Sequence, residues 1–246
     1  MAWPDAARGQ SAADLQAARE TEIPSLRLVD KRDVDVRLGS LGILLAYVEQ
    51  DARAGNGRYF CGALSDDRIG IAAPPVAAAL ARVPYWSVRK LGIRYVLLCA
   101  GAKVADRPVG GLAVSGLDLF LLDVASGNAA FLEEVTLHEL YHIAERGFNT
   151  IDDQDWNRQF TGYSNAYAPD LLKGELASRK PGFLNAYSET FPHEERAELF
   201  AALLLKPGDV LAQIRATSDS VLRRKVLYMD EKVWRMLGLR LPFGRL

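Results

Sequence analysis

An α+β fold is predicted from three features of the chain. Residues 93–99 and 117–124 are short, continuous apolar runs of strand type. Residues 129–146 carry helical patterning closed by Gly147. The second half adds helices at about 191–205 and 219–237 after a long polar stretch. With 246 residues the chain is long enough to bury a sizeable core. Residues 1–22, polar and alanine-rich, read as a loose arm or a first helix, and 23–246 as a single domain.

Taken in order, 25–36 alternates as a strand, and 38–54 reads as a mostly buried helix stopped by Gly55-Asn56-Gly57. Pro74-Pro75 opens a helical stretch through Arg82, and Pro84 breaks it. Asp106-Arg107-Pro108 and Gly110-Gly111 make a turn-rich connection between the two apolar strands. Ser126-Gly127-Asn128 offers an N-cap to the next helix. Residues 150–181, rich in Asn, Asp, Gly and Tyr, read as a long loop. Thr190 caps the following helix, Pro192 lies in its first turn and Pro207-Gly208 lies beyond its end. Val221, Leu222, Val226, Met229, Val233 and Met236 form a packing stripe on the last helix.

Charge and composition exclude several functions. The formal charge of −1 comes from 30 basic and 31 acidic residues without blocks, which argues against nucleic acid or an anionic membrane as partner. The longest apolar run, 38–48, is interrupted by Gly and Ser and is too short to span a bilayer. The first residues lack a basic segment followed by an apolar one, so no signal peptide is read. Cys61 and Cys99 either pair or remain two buried thiols.

Chemistry concentrates in one place. The chain has 3 histidines, and two of them stand in His138-Glu139-Leu140-Tyr141-His142 on the best-defined helix. Residues four apart share a helix face with Cβ atoms about 5–6 Å apart, so the two imidazoles can take adjacent corners of a tetrahedral zinc ion. Glu139 stands close enough to accept a proton from a water on that metal without binding the metal itself. The plainer reading is a pair of ordinary helix histidines, but the rarity of histidine in this chain makes the HExxH spacing a strong signal.

A catalytic zinc also needs a third protein ligand. The metzincin pattern would put a histidine six residues after His142, where Phe148 stands. The candidates lie in His193-Glu194-Glu195-Arg196-Ala197-Glu198. Glu194 and Glu198 are one helical turn apart, and we assign Glu194 as the ligand and Glu198 as the partner that fixes a histidine tautomer from behind. Glu195, Glu198 and His193 stay open as alternative ligands. Glu195 and Arg196 otherwise read as a solvated charged face.

The arrangement resembles the HExxH gluzincin peptidases. It rests on Leu121-Leu122-Asp123-Val124, the HExxH motif, Asp155-Trp156-Asn157, and Gly182-Phe183-Leu184-Asn185-Ala186-Tyr187 leading to Glu194-Glu195-Arg196-Ala197-Glu198. The Tyr…Glu-x-x-Ala-Glu spacing is similar to that of the anthrax lethal factor catalytic domain and of MtfA-like peptidases. The resemblance covers about residues 90–205, and Glu195 departs from it by standing where such proteins often have Asp. It implies a zincin-like fold, with a small twisted sheet, the metal helix beneath it and a helical C-terminal half. It also implies Glu194 as metal ligand and Tyr187 as a tyrosine facing the open side of the zinc.

The expected function is that of a zinc metallopeptidase acting on a peptide or protein, with Glu139 as general base and Tyr187 as oxyanion donor. Two other readings share these residues: an inactive zinc-binding interaction protein on the same fold, its cleft plugged by 150–181, and a zinc amidase acting on a cell-wall crosslink. Trp156, Tyr163 and Tyr167 line a cleft in either enzyme or pin the loop. The resemblance and a Cys61–Cys99 pair lean to a secreted or periplasmic location.

Overall fold

A computed structural model describes residues 26–28, 43–54, 57–93, 95–114, 119–125, 127–150, 152–166 and 180–242. The expected arm at 1–22, most of the strand expected at 25–36, and Tyr167 lie outside these residues. The first half holds β1 (Leu26–Leu28), β2 (Leu44–Val48), β3 (Ala52–Ala54), β4 (Tyr59–Cys61), helix α1 (Asp66–Leu80) and helix α2 (Tyr85–Lys90). Then come β5 (Tyr95–Cys99), β6 (Lys103–Val104), β7 (Arg107–Pro108), β8 (Gly111–Val114) and β9 (Leu119–Asp123). The elements that follow among the described residues are helices: α3 (Ala129–Gly147), α4 (Gln154–Gln159), α5 (Pro192–Leu205), α6 (Pro207–Thr217) and α7 (Ser220–Leu237). The fold is α+β, as expected.

Among the described residues the main sheet has five strands in the order β1-β2-β5-β9-β8. Its centre, β2-β5-β9, is parallel, and both outer pairs are antiparallel. Alternation explains the continuous apolar runs. Val96, Leu98, Phe120 and Leu122 join the helical core, whereas Tyr95, Leu97, Cys99 and Leu121 join a second core with Ala52 and Cys61 of the smaller sheet. A strand covered on both faces needs no polar side.

The same burial corrects the helix expected at 38–54. Residues 44–48 and 52–54 are strands β2 and β3. Leu45 enters one core while Ala46 and Val48 enter the other, and such a run cannot be told from a buried helix by periodicity. The smaller sheet is antiparallel, in the order β3-β4-β6-β7. Ala105 and Asp106 turn between β6 and β7 with φ of 48° and 62°, the double left-handed geometry of a tight hairpin. The turn-rich segment expected at 106–111 is thus partly strand.

Helix boundaries shift for identifiable reasons. α1 begins at Asp66 and runs through Pro74 and Pro75, where the sequence reading began it. Burial of Ile69, Ala72, Ala73 and Val76 carries it past the lost hydrogen bonds. Pro207 starts α6 where only a stop was expected, because proline suits a first helical turn. The N-cap of α5 is Phe191, since Thr190 turns its hydroxyl to the Tyr187 carbonyl instead. The segment expected as loop contains α4, capped by Asp153 and anchored by the buried Trp156. No helix among the described residues is long and apolar enough to cross a membrane.

Cys61 and Cys99 form a disulfide, with Cα atoms 4.9 Å apart, that fastens the smaller sheet to the central strand β5. Closing a loop between cysteines 38 positions apart restricts the unfolded chain by about 4 kcal/mol in the chain-entropy model. Replacing both cysteines by alanine is therefore predicted to lower unfolding free energy by about 2–4 kcal/mol in denaturant titrations. Equal stability of the two proteins would contradict this role.

Candidate metal centre

The site is assembled by two helices. Asn128 caps α3 by accepting from the Phe131 N–H at 3.0 Å. Leu132, Leu137, Leu140, Tyr141 and Ala144 then bury the helix, so the histidines beside them have a rigid mount. α5 opens at Pro192 and is buried along Glu194 to Leu204, which turns Glu194 and Glu198 toward α3.

Here His138, His142 and Glu194 converge. His138 Nε2 lies 3.0 Å from His142 Nε2 and 3.0 Å from Glu194 Oε2, and His142 Nε2 lies 3.3 Å from the same oxygen. A tetrahedral zinc bound at about 2.0–2.1 Å sets its ligand atoms roughly 3.3–3.4 Å apart. The three atoms stand close to that spacing, and two nitrogens with one carboxylate oxygen are a donor set zinc accepts.

The outer contacts fix which atoms face inward. His138 Nδ1 lies 2.8 Å from Glu198 Oε1. A carboxylate only accepts, so Nδ1 carries a proton and donates it to Glu198, which leaves Nε2 as the nitrogen that faces Glu194 and His142. Asn185 Nδ2 donates to the other Glu198 oxygen at 2.5 Å. His193 Nε2 lies 3.3 Å from Glu194 Oε1, its ring stacked on Phe191.

Charge in the pocket follows from these contacts. Burial disfavours a charged His138, but its hydrogen bonds to Glu194 and Glu198 outweigh that and hold its pKa well above the usual imidazole value. Burial likewise opposes ionisation of Glu194 and Glu198. Contacts with His138, His142 and His193 nevertheless take Glu194 far below the carboxylate range, and His138 and Asn185 lower Glu198. Two buried carboxylates held ionised around the histidine rings make a pocket suited to a positive charge.

Glu139 is buried against strand β8. A Cβ added at Gly111 would stand 2.5 Å from Glu139 Cγ and 3.0 Å from its Oε1, so only glycine admits this approach. The sequence reading took Gly110-Gly111 as a turn and missed this. Glycine at the start of an apolar strand was the available signal. Tyr187 lies with its ring centroid 5.8 Å from that of His138, its carbonyl accepting from both the N–H and the hydroxyl of Thr190.

The face assigned to solvent is the largest correction. Glu195 and Arg196 are fully buried. Arg196 Nε donates to Glu145 Oε1 at 2.5 Å, and Lys232 reaches the same oxygen at 3.0 Å and Asp153 at 2.7 Å. Glu195 accepts from Lys225 at 2.7 Å and from Tyr163, which in turn accepts from Trp156. Trp156 and Tyr163 therefore serve this network. Its cations Lys225 and Lys232 come from α7, which no local pattern could have paired with α5.

No protein-family model, curated protein or solved structure matches the chain. The gluzincin resemblance therefore rests on the residues themselves.

Because Glu145 is shared by Arg196 and Lys232, Glu145→Gln is predicted to cost about 3–5 kcal/mol of stability. Lys206→Ala, which breaks the exposed Lys206–Glu134 pair, is predicted to cost less than about 1 kcal/mol. Similar costs for both, measured by urea unfolding, would contradict the clamp between α3 and α5.

Proposed function

We propose that the chain is a zinc-dependent peptidase of the HExxH gluzincin type on a zincin-like fold. The observation that carries this reading is the convergence of His138, His142 and Glu194 at tetrahedral spacing, with Glu139 beside them against β8. Those three residues would hold the metal. A zinc ion there supplies a Lewis acid that polarises a carbonyl and brings the pKa of a water toward neutrality.

Glu139 accepts the proton of the attacking water and later delivers it to the leaving amine. Its burial keeps that carboxylate away from bulk solvent, so the proton stays in the site. Tyr187, fixed through its carbonyl, donates to the oxygen that gains charge as the carbonyl is attacked. Glu198 holds His138 in the tautomer that presents Nε2.

The sheet favours a peptide over a cell-wall amide. Among the described residues β8 ends the five-stranded sheet, pairing with β9 and passing Glu139 at Gly111. An extended peptide adding to that edge runs alongside the metal helix with its main chain hydrogen-bonded.

The test is hydrolysis of a mixed-sequence peptide library, followed by mass spectrometry, with zinc content measured in parallel. Glu139→Gln is predicted to keep zinc and lose roughly 10²–10⁴-fold in rate. Gly111→Val, which pushes Glu139 aside, is predicted to keep zinc and lose activity in the same way. Undiminished turnover in Glu139→Gln rules out the base. Zinc bound without cleavage of any peptide by the wild type favours the non-catalytic reading.

A further inference from the structure

Asn185 carried no role in the sequence reading, yet it touches both halves of the site. Its side chain amide donates to Glu198 Oε2 at 2.5 Å, and Glu198 in turn holds His138 Nδ1 at 2.8 Å. Its side chain carbonyl accepts from the Ser188 N–H at 2.8 Å. The Ser188 hydroxyl completes the ring, donating to the Asn185 carbonyl at 2.7 Å and accepting from the Asn185 N–H at 3.1 Å. These contacts close a turn over Asn185, Ala186, Tyr187 and Ser188, with Tyr187 at its third position. Asn185 and Ser188 are buried, so neither loses these partners to water.

We propose that Asn185 is a positioning residue that couples the metal ligand His138 to the turn presenting Tyr187. The inference rests on the metal-site reading above. Geometry requires an amide at this position. The donor end faces a carboxylate that must stay ionised to orient His138, and the acceptor end faces a backbone N–H. Aspartate has no donor for Glu198, and a shorter or apolar side chain reaches neither partner. The residue therefore sets two features together: the direction of the His138 lone pair and the position of the Tyr187 ring, whose centroid lies 5.8 Å from that of His138.

The experiment compares full-length wild type, Asn185→Ala, Asn185→Asp and the double exchange Asn185→Asp with Glu198→Gln. Zinc affinity is read by competition with a chromophoric chelator, and the turn by hydrogen exchange at the Ser188 amide. Asn185→Asp keeps the acceptor for Ser188, so it is predicted to leave that amide protected while zinc affinity falls about 10–100-fold. Asn185→Ala is predicted to lose both affinity and protection. The double exchange restores one donor and one acceptor between the two positions, and it is predicted to recover part of the affinity lost in Asn185→Asp. Unchanged zinc affinity in both single variants, with only a lowered melting temperature, assigns Asn185 to structure alone and overturns the proposal. Failure of the folded wild type to bind zinc overturns the metal-site reading itself, and the inference with it.

Discussion

The packing of α3 against α5 is the constraint on which the site depends. His138 and His142 belong to one helix and Glu194 to the other, more than 50 positions along the chain. Neither helix carries all three residues. Apolar burial brings the two together, and polar contacts on both sides of the interface then set their register. On one side His138 meets Glu198. On the far side Glu145 meets Arg196, with Lys232 sharing the carboxylate. Breaking such a buried network is costly because a charge is left without its partner, so the helix pair resists sliding.

This arrangement accounts for what was legible in the sequence. α3 was readable almost to the residue because its signals are local: an Asn cap, a 3.6-residue apolar period and a terminal glycine. The HExxH spacing is local in the same sense. The strands β5 and β9 were readable as apolar runs, but β2 was mistaken for helix because burial on two faces erases alternation. Glu195 and Arg196 were read as solvated because charged residues on a helix ordinarily are. Their partners Lys225 and Lys232 lie on α7, and that tertiary fact has no local trace.

Glycine and asparagine mark what motif reading leaves out. Gly111 matters through the side chain it lacks, since any Cβ there collides with Glu139. Asn185 matters through two directional side-chain contacts that depend on where Glu198 and Ser188 finish. Both touch residues of the candidate site without belonging to the HExxH…Glu pattern, and both became visible only when the sheet edge and the turn were placed beside α3.

X-ray absorption at the zinc edge, on protein reconstituted with one equivalent of zinc, tests the central claim most directly. The account predicts two imidazole nitrogens and a carboxylate oxygen at about 2.0–2.1 Å, with the protein oxygen lost in Glu194→Ala. A spectrum with fewer than two imidazoles, or folded protein that takes up no zinc, would contradict it.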